Sequence, residues 1–121
     1  MNINLDYTKR IPIYEQIVQE IERYVALGIL KENEQIMSIR DLAQNLGINP
    51  NTVKKAYTIL EDKKVIVSMS TKGTFINSNV NKIKEDKINS YINDIKDIML
   101  LLNKLGLTNK EIINLLNEKT N

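Results

Sequence analysis

The side chains best suited to bind another molecule stand in the segment "NPNTVKKAYT", which begins at Asn49. Its apolar residues recur every three or four positions, so in a helix they would point inward and leave the polar residues on the exposed arc. Asn and Thr hydrogen-bond to base edges in the major groove of DNA, and Lys contacts guanine or phosphate. The pattern predicts a DNA-reading helix, and the alternative is an ordinary solvated helix face. The residues on this arc are Asn51, Thr52, Lys54, Lys55 and Thr58.

Two more cations stand near this segment in the sequence. Arg40 lies in the first turn of a predicted helix, where a cation opposes the helix dipole, so local stability does not explain its place. A phosphate or guanine contact would explain it, and a surface ion pair with Asp41 or Glu34 is the alternative. Lys72 precedes Gly73 at the tip of a predicted hairpin, where its ammonium group could reach the minor groove or a phosphate, or could simply be solvated.

Three amphipathic helices would position these side chains. The first lies within "IPIYEQIVQEIERYVALG", and the polar stretch "ILKENEQIM" follows it as a connection. The second begins after Ser38, a good N-cap, and ends at Gly47. The third follows almost at once, with Asn49 as N-cap and Pro50 at the first helical position. Two short helices joined by a tight turn predict a helix-turn-helix.

A β-hairpin is predicted directly after the third helix. In "VIVSMSTKGTFIN", two apolar runs flank the turn residues "STKG", with Gly73 as the position of positive φ. Tyr57 and Phe75 fall in register with apolar neighbours, so we predict core residues rather than stacking surfaces. A hairpin after a helix-turn-helix is the arrangement of a winged helix. The predicted fold class is mainly α with a small β-hairpin: a winged helix-turn-helix domain, residues 1–78, and a C-terminal helical hairpin, residues 79–121.

The C-terminal helices carry an apolar stripe that they cannot bury alone. Apolar residues from Ile88 to Leu105 are spaced by three and four positions in turn, which is a heptad seam. After Gly106, Thr108 and Glu111 form a capping box for a final helix. The stripe must cover either the N-terminal domain or a second copy of the chain, and we predict a homodimer. The predicted dimer residues are Ile88, Tyr91, Ile92, Ile95, Ile98, Met99, Leu102, Leu105, Ile112 and Leu116.

The composition argues against several functional classes. The 121 residues include no Cys and no His, which excludes disulfides, thiol nucleophiles, imidazole bases and zinc-finger sites. The carboxylates show no acid/base pair or metal-ligand spacing, so we predict no enzyme, no metal and no cofactor. No apolar run approaches the roughly 18 residues of a membrane span, so we predict a cytoplasmic protein without a membrane partner. The net charge is only +2, yet residues 38–75 carry six basic and three acidic side chains, which suits a polyanion.

Four stretches between about residues 8 and 77 form a long and specific pattern: "PIYEQIVQEI", "GIL...E", "SIRDLAQNLGINPNTVKKAYTILE" and "KGTFI". They resemble the DNA-binding domain of the GntR family of bacterial transcription regulators. The two-helix tail further resembles the YtrA-like subfamily, whose C-terminal segment dimerises and which lacks a large effector domain. The resemblance implies DNA contacts at Ser38, Arg40, Asn49, Asn51, Thr52, Lys54, Lys72 and Gly73.

The sequence departs from that family at four of these or neighbouring positions. Met37 stands where Pro usually precedes the Ser, and Lys64 stands where a Gly often precedes the wing. Thr71 replaces the first Gly of the common Gly-Lys-Gly tip. These three changes concern the conformation of the wing more than the DNA role. Lys54 replaces a frequent Arg, which weakens bidentate recognition.

These observations predict a sequence-specific, homodimeric repressor that binds a palindromic operator in double-stranded DNA. One recognition helix reads only a few base pairs, whereas two copies related by a two-fold axis read two half-sites. The contacts would come from the helix at 49–62 and the wing at 65–77. The alternatives are an activator and a winged-helix module that binds proteins rather than duplex DNA. A small-molecule effector could bind between the domains or at the dimer interface, and the sequence does not name it.

Overall fold

The computed structural model describes residues 1–120, which form five helices and three short strands. The chain divides into two compact units, one up to Lys84 and one from Glu85 onward. The predicted fold class, mainly helical with a winged helix-turn-helix and C-terminal helices, is confirmed. The helices are α1 (Ile13–Ala26), α2 (Ile39–Leu46), α3 (Pro50–Asp62), α4 (Val80–Lys104) and α5 (Asn109–Thr120), and the strands are β1 (Gln35–Ile36), β2 (Ile66–Met69) and β3 (Gly73–Ile76).

The three strands form an antiparallel sheet in the order β1-β3-β2. β2 and β3 are the predicted hairpin, with Met69 paired to Gly73 beside the turn. β1 pairs Gln35 with Phe75 on the other edge of β3. It lies in the stretch that we expected to be a polar connection, and that expectation was wrong. A strand of two residues is too short to show the alternation of apolar and polar residues that identifies strands.

One apolar core lies in the first unit, between α1, α2, α3 and the sheet. Burying one Ile, Leu or Val side chain contributes about 1.5–3 kcal/mol, so this core holds α2, α3 and the hairpin in place. Val80, the first residue of α4, is 4% exposed and belongs to the same core. The division into a DNA-binding domain, residues 1–78, and a dimerisation segment, residues 79–121, stays a prediction. The largest fully buried side chains are Ile17, Ile21, Leu42, Val53, Leu60, Ile66 and Ile76.

Tyr57 is a core residue, as predicted, and it also links α3 to the chain before α2. Its side chain is 3% exposed, and its hydroxyl donates a 2.7 Å hydrogen bond to the carbonyl oxygen of Met37. Burial raises the pKa of the Tyr57 phenol, so the group stays protonated and remains a donor. Phe75, the other aromatic residue predicted for the core, is half-buried on β3.

The start and end of the helix-turn-helix follow the predicted capping signals. At α2, the Ser38 Oγ accepts a 3.1 Å hydrogen bond from the N–H of Asp41. At α3, the Asn49 Oδ1 accepts a 2.8 Å hydrogen bond from the N–H of Asn51. Gly47 lies between the two helices with φ of 66°, a left-handed conformation that glycine adopts without steric cost. The turn thus begins and ends with local caps, and the shared core and the Tyr57 hydrogen bond hold α3 against α2.

The second unit consists of most of α4 followed by α5. The predicted capping box is confirmed, because Thr108 Oγ1 accepts from the Glu111 N–H at 3.2 Å and Glu111 Oε1 accepts from the Thr108 N–H at 3.1 Å. The Asn103 side chain donates to the Leu107 carbonyl and to Asn109 Oδ1, which closes the turn between the helices. Within residues 1–120, no helix combines the length and the apolar character needed to cross a bilayer.

Candidate nucleic-acid interface

The polar arc of α3 faces solvent, as its periodicity predicted. Val53 and Ala56 are completely buried on the opposite side of the helix, which fixes its rotation. Asn51, Lys54 and Lys55 are exposed, and Thr52 is half-buried. Thr58 is also exposed, but its hydroxyl donates to the carbonyl oxygen of Lys54 at 2.9 Å and is less free to contact another molecule. The structure thus brings together the amide, hydroxyl and ammonium groups that suit a major groove.

Ser38 and Asn49 cap helices, so a contact with DNA would be a second role for each of these side chains. Each uses a side-chain oxygen to cap the helix that follows, and both residues are exposed. Asn49 still has its side-chain NH₂ group, which makes no hydrogen bond within residues 1–120. Loss of such a cap costs about 0.5–2 kcal/mol. Substitutions here will therefore change stability as well as any contact with a ligand.

The Arg40 guanidinium is exposed in the first turn of α2. The alternative that it pairs with Asp41 or Glu34 is wrong for the described part of the chain, where neither ion pair forms. Glu34 instead accepts a 3.1 Å hydrogen bond from the backbone N–H of Lys31. Arg40 is thus available to an external anion such as a phosphate.

Lys55 makes a contact that the sequence did not predict. Its Nζ lies 4.0 Å from the centroid of the Tyr14 ring, which belongs to the first turn of α1. Tyr14 is half-buried and Lys55 is exposed, and a cation over a ring at such a solvent-accessible site gains about 0.5–1 kcal/mol, which is small enough to be exchanged for a phosphate contact. The contact shows that the start of α1 lies beside the polar arc of α3.

The tip of the wing is held in shape by Gly73 and by a residue of β1. The Lys72 N–H donates to the Met69 carbonyl at 2.7 Å, and Gly73 has φ of 117°. The Gln35 Nε2 donates to the Lys72 carbonyl at 3.2 Å. A Cβ on Gly73 would lie 2.6 Å from this Nε2, so a larger residue would displace the Gln35 side chain and would also have to adopt a φ that L side chains rarely adopt. Gly73 thus shapes the turn, and the Lys72 side chain is exposed at its tip.

Gln35 is a residue of this site that sequence reasoning missed. It lies 37 positions before Lys72, in a stretch without recognisable periodicity, so no local signal connects the two. Among the residues that the structure describes, no three acidic side chains come together as metal ligands would.

The apolar stripe of α4 remains largely exposed in the single chain. Tyr91 is 58% exposed and Leu105 is 80% exposed. Most of the predicted dimer residues between them are also exposed. Met99 and Leu102 are half-buried. The predicted list of dimer residues left out several apolar side chains that are also exposed. The run "MLLL" could have indicated some of them, because four consecutive apolar residues point to all sides of a helix. These additional residues are Leu100, Leu101, Ile113 and Leu115.

Ile112 differs from the other predicted dimer residues because it is only 3% exposed. In this arrangement it offers almost no surface to a second copy, and it belongs to the inside of the second unit. Periodicity identified it as apolar but could not show which neighbour covers it. It lines a small apolar depression of about 160 Å³ together with Leu102, Leu107, Leu115 and Leu116.

Three known proteins illustrate what the chain is similar to. The HTH-type transcriptional repressor YtrA of Bacillus subtilis (strain 168) is 34% identical over 99 residues, which cover 81% of this chain and 76% of YtrA. A transcriptional regulator from Oenococcus oeni, solved by crystallography, is 36% identical with a TM-score of 0.68 and covers 97% of this chain and 98% of its own. The DNA-binding domain of AraR, solved in complex with operator ORE1, is 25% identical with a TM-score of 0.53 and covers 63% of this chain and 93% of its own.

The family assignment follows from these similarities and from the match of a family model to the region just described. The model for bacterial regulatory proteins of the gntR family matches residues 13–76, from the first residue of α1 to the last residue of β3. The predicted resemblance to the YtrA-like regulators is confirmed. The chain belongs to the gntR family of bacterial regulatory proteins.

Proposed function

We propose that this protein is a sequence-specific, homodimeric repressor that binds a palindromic operator in the bacterial cytoplasm and has no catalytic role. The observation that carries the proposal is the exposed polar arc of α3 in a fold whose relative AraR was solved on an operator. The relative YtrA is named a transcriptional repressor, which supports repression over activation. A bound dimer would repress by occluding a promoter.

The contacts divide into base readout and phosphate binding. Asn51 and Thr52 stand at the start of α3, the part of a recognition helix that reaches base edges in helix-turn-helix proteins. Lys54 would contact guanine or phosphate from the next turn. Arg40 and Lys72 are exposed cations on α2 and on the wing, and each would bind a phosphate.

The dimer would form through the exposed apolar stripe of α4 and α5. Side chains such as Tyr91 and Leu105 leave water when a second copy covers them, at roughly 25 cal/mol for each Å² of apolar surface buried. A two-fold axis repeats the DNA-reading surface, so two copies of α3 would bind two half-sites of a palindrome. Two half-sites provide the discrimination that a single helix lacks.

The existence of a small-molecule effector stays a prediction. The depression lined by Ile112 has a volume of about 160 Å³. Ligand pockets usually measure about 300–1,000 Å³, so we assign no ligand to it.

The salt dependence of operator binding tests the proposal. Each phosphate contact contributes about 0.9 to the slope of log K against log salt concentration. We expect Lys54→Gln and Lys72→Gln each to lower that slope by about one for every protomer bound, if both bind phosphate. Lys31→Gln is the matched control, because Lys31 is an exposed lysine in the loop after α1 with no proposed role. The proposal would be refuted if the wild-type protein did not bind an inverted repeat upstream of its own gene at low salt.

A further inference from the structure

The loop before α1, residues 7–10, is tied to the body of the domain by a buried amide. Gln16 is 6% exposed, and its Nε2 donates to the carbonyl oxygens of Asp6 and Ile11 at 2.9 Å each. Its Oε1 accepts a 2.8 Å hydrogen bond from the N–H of Asp6. Both ends of the loop are therefore fixed to α1 by one side chain, and the residues between them are all exposed. The loop therefore has a fixed backbone at both ends and exposes its side chains to solvent.

The same loop lies at the end of α1 that touches the recognition helix. Only Ile11 and Pro12 separate it from the first residue of α1, and the Tyr14 ring contacts the Lys55 ammonium at 4.0 Å. The residues that flank the loop are thus bonded to the same end of α1 whose Tyr14 contacts the polar arc of α3 at Lys55. A duplex that contacts this arc would have a phosphate backbone near the loop.

Lys9 and Arg10 give the loop two exposed cations. Neither forms an ion pair at contact distance within residues 1–120. The Asp6 carboxylate accepts hydrogen bonds from the Thr8 hydroxyl and N–H, at 2.5 and 2.9 Å. These bonds hold the pKa of Asp6 below its ordinary value, with a smaller contribution from the charge of Lys9. A cation just before a helix N-terminus opposes the helix dipole, so local stability does not favour these residues.

We propose that residues 7–10 form a second contact with the DNA backbone, in which Lys9 and Arg10 bind phosphates beside those reached by α3. The proposal rests on the proposed function, because it assumes that α3 lies on duplex DNA. Such contacts carry no sequence information, and they would position the domain on the duplex and raise its affinity for any DNA.

The double variant Lys9→Gln/Arg10→Gln tests this interaction in the full-length protein. We expect the slope of log K against log salt to fall by about two for each protomer bound, at roughly 0.9 for every phosphate that the variant no longer binds. Affinity should fall by the same factor for the operator and for an unrelated duplex, because binding to phosphate does not depend on sequence. Lys31→Gln should leave both slopes unchanged. α1 has 14 residues and a length of roughly 21 Å, so Lys31 lies beyond its far end.

The outcomes separate this inference from the proposed function. If the wild type binds its operator with a steep salt dependence and the double variant has the same slope, the loop contact is refuted and the proposed function stands. If the wild type shows no salt-dependent binding to duplex DNA, the proposed function fails, and the loop contact fails with it. The variant Lys9→Arg should retain the wild-type slope, and loss of binding in it would also contradict a phosphate contact.

Discussion

Lys64 adopts a backbone conformation that glycine adopts at the ends of α1, α2 and α4. Its φ is 63°, and the N–H groups of Lys64 and Val65 donate to the carbonyls of Glu61 and Leu60 at 2.9 Å each. These two hydrogen bonds define the Schellman motif, in which the residue after the C-cap is left-handed. Glycine has the corresponding place and a positive φ at Gly28, Gly47 and Gly106.

Replacing Lys64 with Gly should stabilise the protein by about 0.5–1 kcal/mol. A side chain in the left-handed conformation costs roughly 1–2 kcal/mol, and Gly removes this cost. Gly also destabilises the folded state by roughly 0.5–1 kcal/mol, because it loses more conformational freedom on folding, and the difference is the expected gain. The Lys64 side chain is exposed, so its removal changes the packing of the core little. For a domain of this size the gain corresponds to a rise in Tm of about 2–8 °C.

Urea unfolding followed by circular dichroism would measure this effect at one fixed protein concentration, since the stability of a dimer depends on concentration. Lys64→Asn and Lys64→Ala are the matched controls, and both remove the same charge. The backbone explanation predicts the largest gain for Gly, a smaller one for Asn and none for Ala, because Asn tolerates the left-handed conformation and Ala does not. An equal gain in all three variants would refute it and would attribute the effect to the charge.

Three other substitutions have definite expected outcomes. Tyr57→Phe should destabilise the protein by about 1–3 kcal/mol in urea unfolding, because the Met37 carbonyl loses its 2.7 Å hydrogen bond; an unchanged midpoint would contradict this. Gly73→Ala should lower operator affinity while leaving the helical circular dichroism intact. Adding Gln35→Ala to this variant removes the clash with the new Cβ, but it should restore only part of the affinity because φ at residue 73 remains 117°. Leu105→Asp should yield monomers in sedimentation velocity at micromolar concentration; a stable dimer would show that this 80% exposed side chain lies outside the interface.

The features that were predictable from sequence depend on neighbours within a few positions. The caps at Ser38 and Asn49 use backbone N–H groups two or three residues further on. The capping box that joins Thr108 to Glu111 spans three residues as well. The exposed arc of α3 follows from its apolar periodicity, which needs no knowledge of the fold. Local chemistry was therefore sufficient for the helices, for the hairpin and for the face of the recognition helix.

The features that sequence reasoning missed depend on long-range contacts. β1 is recognisable only through its pairing with β3, and Gln35 acquires its role at the wing tip from a residue 37 positions away. Gln16 fixes the loop through Asp6, which lies 10 residues earlier. The burial of Ile112 depends on how α5 turns back after α4. Periodicity shows which residues are apolar, but only the folded chain shows what covers them.

The positions of the cations connect the stability of the free chain to its proposed ligand. Arg40 in the first turn of α2, and Lys9 and Arg10 before α1, stand where the positive end of a helix dipole disfavours a cation. None of the three is neutralised by an ion pair in the described part of the chain. The starts of both helices lie near the middle of α3, because Tyr14 contacts Lys55 and the Met37 carbonyl accepts a hydrogen bond from Tyr57. A phosphate backbone would relieve the repulsion at both helix starts at once, and this is a physical reason for basic residues to stand there.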